Sequence, residues 1–279
     1  MTLAEALHAA QVRLQEAGID DADLEAEVLL RHALGVDRAQ LYARLRDGLD
    51  DAQRVAFQRL VERRLTREPA AYIVGHKEFY GIDLEVTPDA LVPRPETELL
   101  VDEALGVASE GLPTIADVGT GCGAIAVALA THLPQAVIYA IDESERALAL
   151  AARNVERRRL AGRVRLLHGD LLDPLPEPVD LIVANLPYVK TSDWEALPPE
   201  IRDHEPRAAL DGGPSGTRAL EGFLRAAPLH LRFGGRLLAE IGWDEGERLL
   251  GVARECFPAA RITVKKDLAG LDRIVVILT

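Results

Sequence analysis

Residues 114–132 read TIADVGTGCGAIAVALATH and place a short apolar run, three alternating glycines and an alanine-rich run in succession. The first run, residues 114–118, is typical of a buried strand, and residues 124–132 are typical of a helix. Glycines between a strand and a helix let the backbone turn tightly and bring a ligand to the free N–H groups of the helix. The stretch therefore predicts an α/β fold with a ligand loop at 119–123. Taken alone, this loop fits a dinucleotide, another nucleoside cofactor, or a tight turn that binds nothing.

The alternation of strand and helix continues to the end of the chain. Such a βαβ rhythm favours a mostly parallel sheet that is covered by helices on both faces. The last two strand-like runs are joined by residues 267–271 and predict a closing hairpin with an antiparallel final strand. The pattern as a whole predicts a seven-stranded Rossmann-like sheet. The predicted strands are 114–118, 136–141, 164–168, 181–184, 236–241, 262–266 and 274–278. The predicted helices are 99–107, 124–132, 145–160, 217–231 and 245–256.

The N-terminal part of the chain shows no strand pattern and is predicted to be helical. Leu3, Leu7 and Leu14 share a 3.6-residue period, Asp23 is a candidate N-cap for a second helix, and the pair Asp50-Asp51 is a candidate cap for a third. A helical unit of this size is typical of a recognition element, although a stabilising cap is the plainer alternative.

The pattern changes at residue 73. Residues 73–86 contain short alternating apolar runs with Gly81 between them, which predicts a β-hairpin that turns at Gly81. We therefore expect a helical substrate-recognition domain at 1–72, a hairpin linker at 73–92 and an α/β domain at 93–279.

The composition excludes several classes of protein. The 279 residues include 32 Lys and Arg against 45 Asp and Glu, and the net charge of −13 argues against affinity based on neutralising many phosphates. Two distant cysteines exclude a disulfide framework, and no histidine pairing suggests a metal site. No apolar run approaches the roughly 20 residues of a membrane span, and no signal peptide is evident. We expect a cytoplasmic protein without metal or direct nucleic-acid binding, whose partners are a small molecule and a protein.

Polar residues stand at the carboxyl ends of two further predicted strands. Asp142 follows the second strand about 20 positions after the glycines, where an acidic side chain can accept hydrogen bonds from both ribose hydroxyls. Capping of the next helix is an equally good interpretation of Asp142 alone. Asp170 and Leu171 follow the third strand, where they could meet the amino group and the face of an adenine. Strand ends in register at the same sheet edge favour a nucleoside site.

The fourth predicted strand runs into Asn185-Leu186-Pro187-Tyr188. An amide or exocyclic amino nitrogen is a poor nucleophile, because its lone pair is delocalised. The Asn185 side-chain oxygen and the Leu186 carbonyl could accept the two N–H bonds of such a nitrogen, while Pro187 stiffens the loop and Tyr188 offers a packing wall. Catalysis would then depend on orientation and electrostatics, with no strong base. The chain contains only one other asparagine, Asn154, so the presence of one here is informative.

These residues resemble the (Asn/Asp/Ser)-Pro-Pro-(Tyr/Phe) motif of methyltransferases that modify planar nitrogens. Nearly the whole chain is similar to the HemK/PrmC family of protein-(glutamine-N5) methyltransferases, which have a class I S-adenosylmethionine-dependent fold. The similar segments include Gly75–Gly81 (GHKEFYG), residues 92–98 (VPRPETE) and residues 205–213 (EPRAALDGG). Of these, the Pro-Arg-Pro-Glu-Thr-Glu and Glu-Pro-Arg sequences are specific to the family, because general methyltransferases lack them.

The resemblance implies a substrate, a cofactor and a set of site residues. The family methylates the glutamine of the Gly-Gly-Gln motif in class I peptide chain release factors, and we expect this chain to act as a monomer. By the same resemblance, Thr97 approaches the methionine end of the cofactor. The cofactor-binding residues implied are Thr97, Gly119, Thr120, Gly121, Cys122, Gly123, Asp142, Asp170, Leu171 and Asn185. The substrate-binding residues implied are Asn185, which is also the catalytic residue, Leu186, Pro187 and Tyr188.

One position departs from the family, which has Pro where this chain has Leu186. The same Asn-Leu-Pro-Tyr sequence occurs in rRNA adenine dimethyltransferases, which are the rival hypothesis outside the family. The acidic charge, the helical N-terminal domain and the Pro-Arg-Pro-Glu-Thr-Glu segment argue against that hypothesis. Within the family, a methyltransferase of a ribosomal-protein glutamine remains the alternative. A binding protein without activity would not need Asn185.

Overall fold

The computed structural model describes residues 1–108 and 113–279. These residues form two compact units, one comprising 1–76 with 198–204 and the other comprising 77–197 with 205–279. The helices are α1 (Leu3–Glu16), α2 (Ala22–Leu34), α3 (Arg38–Ala43), α4 (Asp51–Leu65), α5 (Ala70–Val74), α6 (Glu98–Val107), α7 (Ala124–His132), α8 (Glu145–Arg157), α9 (Pro199–Arg202), α10 (Arg218–Ala226) and α11 (Gly246–Cys256). The strands are β1 (His76–Phe79), β2 (Ile82–Glu85), β3 (Thr114–Val118), β4 (Val137–Asp142), β5 (Val164–His168), β6 (Val179–Asn185), β7 (Leu231–Glu240), β8 (Arg261–Lys266) and β9 (Asp272–Leu278).

The first unit is helical, as the sequence predicts. The apolar faces of α1, α2 and α4 pack together around Leu14, Leu30 and Phe57. The predicted cap at Asp50 is confirmed, because its side chain accepts from the Gln53 backbone in a capping box that begins α4. The predicted cap at Asp23 is wrong. The N-cap position is Asp21, two residues earlier, and the helix begins at Ala22. Asp23 therefore lies inside the first turn, where a negative charge interacts favourably with the helix dipole.

The short helix α9 belongs to this helical unit, although it lies more than a hundred residues later in the chain. Glu200 of α9 forms ion pairs with Arg64 at 3.0 Å and with Arg67 at 2.8 Å. Arg64 is only 2% exposed and also pairs with Glu25. Buried charges of this kind need paired partners, so this cluster holds residues 198–204 against the helices.

The second unit contains the sheet that the glycine-rich stretch predicts. Its seven described strands follow the order β5-β4-β3-β6-β7-β9-β8. β3, β4, β5, β6 and β7 are parallel, and β9 is antiparallel to both β7 and β8, which confirms the closing hairpin. Alternate residues of each central strand face opposite sides. Ile115 packs in the core that contains α6, α7 and α8, and Ala116 packs in the core that contains α10 and α11.

Several predicted ends differ from the structure. α8 ends at Arg157 rather than 160, because Arg159 takes a left-handed conformation with φ of +58° that closes the helix. The predicted helix 217–231 is shorter. α10 ends at Ala226, a 3-10 turn containing Pro228 follows, and β7 begins at Leu231. The missing proline N–H prevents the α-helix from continuing.

The hairpin is confirmed at its turn and is wrong at its start. Tyr80 and Gly81 join β1 to β2 with φ of +52° and +70°, the left-handed pair that tight hairpins favour. Ile73 and Val74 do not enter the hairpin. They end the short helix α5, which begins after Pro69 and is closed by Gly75 at φ of +80°. Asn154 holds the hairpin in place, since its amide bonds the Glu85 backbone on both sides.

Among the described residues, no helix combines the length and the apolar character that a bilayer crossing requires.

Candidate active site

A cavity of about 520 Å³ opens at the carboxyl ends of β3, β4 and β6. This is the edge where the strand order reverses around β3, the position at which open α/β sheets bind ligands. Most of the predicted site residues line it, whereas Gly123 and Tyr188 are not among the described residues that do so. The predicted residues that line the cavity are Thr97, Gly119, Thr120, Gly121, Cys122, Asp142, Asp170, Leu171, Asn185, Leu186 and Pro187.

At two positions of the loop, neighbouring atoms lie so close to the backbone that glycine is required. A Cβ atom on Gly119 would lie 3.0 Å from the Leu186 side chain and 3.1 Å from the Asn185 carbonyl oxygen, and its φ is +74°. A Cβ atom on Gly123 would lie 3.2 Å from the Cβ of Ala151 in α8, with φ of +84°. Gly119 therefore lets the loop meet the Asn185 segment, while Gly123 lets α7 and α8 pack closely.

Asp142 connects the end of β4 to the glycine loop. Its Oδ2 accepts from the Gly121 backbone N–H at 2.8 Å, and its Oδ1 accepts from the Ser144 N–H at 2.9 Å. Burial raises the pKa of Asp142, and these two N–H groups oppose that effect. The N-cap of α8 is Ser144, whose hydroxyl accepts from Ala147. The capping alternative for Asp142 is therefore wrong, and its carboxylate borders the cavity.

The buried Asp117 side chain forms hydrogen bonds to the glycine loop and to α7. It is fully buried at the end of β3, and its Oδ2 accepts from the Thr120 hydroxyl at 2.6 Å and from the Ala126 N–H at 3.0 Å. Burial raises the pKa of Asp117 to about 7. These bonds tie the strand, the loop and α7 together.

Asp170 and Leu171 follow β5, the third predicted strand, and both line the cavity. Asp170 is exposed at the cavity rim. Leu171 takes φ of +45°, a left-handed conformation that is uncommon for a side chain of this size. The surrounding structure thus imposes this conformation beside the cavity, where strained backbone is often functional.

Asn185 is held by a chain of hydrogen bonds that the sequence does not reveal. Its side-chain Nδ2 donates to the Thr97 hydroxyl at 3.0 Å, and that hydroxyl donates to Oε2 of Glu240 at 2.8 Å. The Tyr188 hydroxyl donates to Oε1 of the same carboxylate at 3.1 Å. Burial raises the pKa of Tyr188, and the neighbouring Glu240 raises it further. The arrangement leaves the Asn185 amide oxygen as the end that can accept a bond from a ligand.

Glu240 is the site residue that sequence reasoning missed. It ends β7 and is the register partner of Asn185 at the end of β6, so both side chains lie on one face of the sheet. A signal was present, because an acidic residue at the carboxyl end of a predicted strand is the same feature that identified Asp142.

The two family-specific segments meet beside the cavity. The Arg94 guanidinium forms an ion pair with Glu205, which is buried and also accepts from the Val92 N–H at 3.4 Å. Burial raises the pKa of Glu205, and the Arg94 charge opposes that effect. This ion pair connects residues 92–98 to residues 205–213 across the cavity lining.

Two family models match parts of the chain. Residues 5–75 match the family model described as the PrmC N-terminal domain, and residues 96–197 match the methyltransferase small domain. A protein of Geobacter sulfurreducens named release factor glutamine methyltransferase is 44% identical over 94% of this chain and 91% of its own length. The proteins of that name from Moorella thermoacetica and Cereibacter sphaeroides are 44% and 43% identical, over 98% and 99% of this chain and 97% and 98% of their own lengths.

Solved structures share the fold over most of the chain. A methyltransferase from Pyrococcus furiosus aligns with a TM-score of 0.53 at 23% identity, over 72% of this chain and 90% of its own. The hMettl16 catalytic domain, crystallised in complex with the MAT2A 3'UTR hairpin 6, aligns with a TM-score of 0.58 at 15% identity, over 77% and 81% of the two chains. At these identities the likeness shows a methyltransferase fold and nothing about the substrate.

Proposed function

The chain belongs to the family of release factor glutamine methyltransferases, and from this premise we propose that it transfers a methyl group from S-adenosylmethionine to the side-chain nitrogen, N5, of a glutamine. We propose that this glutamine lies in the Gly-Gly-Gln motif of class I peptide chain release factors. The observation that carries the proposal is the Asn185 amide, which lines the cavity with its nitrogen already bonded to Thr97. Its oxygen is thereby available to a substrate amide.

The residues of the cavity fit S-adenosylmethionine. The volume of about 520 Å³ lies within the usual range for small-molecule sites. Each Asp142 oxygen accepts one backbone N–H and keeps a lone pair for a ribose hydroxyl. We assign Asp170 and Leu171 to the adenine and Thr97 to the methionine end. When bound, the cofactor supplies an electrophilic methyl group on a positively charged sulfur.

The protein's contribution to the reaction is orientation. The Asn185 side-chain oxygen and the Leu186 carbonyl oxygen accept the two N–H bonds of the glutamine amide, which fixes the nitrogen and directs its lone pair away from conjugation with the carbonyl and toward the methyl group. An alkylated amide that still holds both protons is strongly acidic, so one proton passes to water. No general base is needed. Leu186 keeps the carbonyl that the family's proline would supply, and its side chain packs over Gly119.

We further propose that residues 1–72 recognise the protein substrate and that the enzyme acts as a monomer without binding nucleic acid directly. Termination of translation takes place in the bacterial cytoplasm, which is where we place the reaction. The helical unit matches the PrmC N-terminal domain, and a separate domain of this kind is typical of recognition elements.

The test is incubation with cofactor labelled in its methyl group and, separately, with a release factor, a ribosomal protein and ribosomal RNA. We expect label in the release factor, and mass spectrometry should locate it on the glutamine of Gly-Gly-Gln. A release factor with that glutamine changed to alanine is the control and should take no label. Label in the ribosomal protein or in the RNA would contradict the proposed substrate.

A further inference from the structure

Glu240 is a buried carboxylate that lies outside the ligand loop in the sequence. It is 1% exposed at the end of β7, directly beside Asn185 in the sheet. Both of its oxygens accept bonds from hydroxyl groups, one from Thr97 and the other from Tyr188. Thr97 in turn is the partner of the Asn185 amide. A buried charge is costly without such partners, so its presence here calls for a physical reason.

The direction of these hydrogen bonds follows from the atoms present. A carboxylate can only accept, and a threonine hydroxyl has one proton. Thr97 donates that proton to Glu240 at 2.8 Å, so it can only accept from Asn185. The end of the Asn185 amide that faces Thr97 must therefore be the NH₂ group, which lies at 3.0 Å. Burial raises the pKa of Glu240, while the two hydroxyl bonds and the charge of Arg273 favour its ionised form.

We infer that Glu240 is a positioning residue that fixes the orientation of the Asn185 amide through Thr97, so that the oxygen and not the nitrogen meets the substrate. This inference rests on the proposed function for its kinetic consequence only. Without an acceptor at 240, the Thr97 hydroxyl can donate to the Asn185 oxygen instead. The Asn185 amide then rotates by 180° and turns its NH₂ group toward the substrate. An NH₂ group cannot accept a hydrogen bond from the substrate N–H.

Two substitutions at position 240 distinguish the effect of losing the hydrogen-bond acceptors from the effect of changing the side-chain volume. Glu240→Met keeps a similar length but removes both acceptors, whereas Glu240→Gln keeps one amide oxygen that can serve one of the two hydroxyls. We expect the single-turnover rate at saturating cofactor and release factor to fall roughly 10- to 100-fold in Glu240→Met and only a few-fold in Glu240→Gln. The dissociation constant of the cofactor and the melting temperature should change little in Glu240→Gln.

The chain offers a matched control at the opposite end of the sheet. Glu177, which precedes β6, accepts a tyrosine hydroxyl in the same way, from Tyr139 at 3.0 Å. Glu177→Met should leave the methylation rate unchanged. Thr97→Val should reproduce the rate loss, and Thr97→Ser should restore the rate. Adding Glu240→Met to Thr97→Val should then cost little more, since both changes break the same chain of bonds.

A second measurement is independent of the substrate. Asn154 and Asn185 are the only asparagines, so protein labelled with ¹⁵N-asparagine gives two side-chain NH₂ signals. Asn154 serves as the internal reference, because its NH₂ donates to the carbonyls of Glu85 and Cys122. In Glu240→Met we expect a shifted Asn185 signal with faster hydrogen exchange and an unchanged Asn154 signal.

The two measurements decide the inference together. A slower reaction with an unchanged Asn185 signal would overturn it, as would a Glu240→Met enzyme that works within two-fold of wild type. If wild-type protein methylates no release factor, the proposed function fails. The Asn185 signal alone then supports or overturns the assignment of Glu240.

Discussion

The Asn185 amide nitrogen donates to the Thr97 hydroxyl across 3.0 Å, joining two residues that are 88 positions apart. Thr97 stands in the 3-10 turn just before α6, within the Pro-Arg-Pro-Glu-Thr-Glu segment, and Asn185 ends β6. The family-specific segment thus contacts the side chain that we assign to catalysis. This contact gives a physical reason for a threonine in that segment, because a hydroxyl can accept from an amide and donate to a carboxylate at once.

The first prediction concerns Asn185. Asn185→Ala should leave the fold and most of the cofactor affinity intact, but it removes an acceptor whose bond strengthens as the substrate nitrogen becomes pyramidal. We expect about a 100- to 1,000-fold loss in single-turnover methyl transfer at saturating cofactor and release factor. Asn185→Asp keeps an acceptor and should lose less. Ser192→Ala, an exposed change shortly after the motif, is the control. An Asn185→Ala enzyme within a few-fold of wild type would refute the acceptor role.

The second prediction concerns the cofactor. Asp142→Ala should weaken the binding of S-adenosylmethionine by roughly 2–4 kcal/mol, because charge-assisted bonds to the ribose are lost. Titration calorimetry measures this directly. Asp142→Asn keeps one acceptor and should be intermediate. Asp173, an exposed carboxylate after β5 that does not line the cavity, supplies the control variant Asp173→Ala. Equal affinities in wild type and Asp142→Ala would remove Asp142 from the ribose site.

The sequence predicts the sheet well because its signals are local. The bounds of β3, β5 and α7 agree residue for residue with the prediction, since each is a short apolar run ended by glycine or by polar residues. Ile73 and Val74 are predicted to be strand residues but lie in α5, because a short apolar run fits a helix equally well. Glu240 acquires its role only through the β6–β7 register, and Glu200 only through the packing of α9. The position of Glu240 at the end of a predicted strand marks it as a candidate, but neither pairing can be deduced from the neighbouring sequence.

The third prediction concerns the ion pairs of the helical unit. Arg64→Met should lower the free energy of unfolding by about 3 kcal/mol, because it leaves Glu25 and Glu200 without their buried partner. Arg54→Met is the matched control, since Arg54 pairs with Asp51 at the exposed surface. It should cost less than about 1 kcal/mol. Denaturant titration followed by circular dichroism compares the two variants, and equal losses would mean that burial adds nothing to this cluster.

The last prediction concerns Glu245, which precedes α11. Burial raises the pKa of Glu245 from 4.5 to about 7, although the Gly242 N–H bonds its Oε2 at 3.0 Å. A carboxyl whose folded pKa lies above its unfolded pKa contributes its full stability below about pH 4.5 and loses it as the pH rises through about 7. We therefore expect the melting temperature to fall between pH 5 and pH 8, by the equivalent of about 1–2 kcal/mol from this group once solvent screening is included. Glu245→Gln should flatten that dependence, because its amide keeps the acceptor for Gly242 and cannot ionise. Glu247→Gln, an exposed change in the same helix, should retain the full slope. Identical slopes in the Glu245→Gln variant and in wild type would show that Glu245 ionises in the folded protein no less readily than in the unfolded chain.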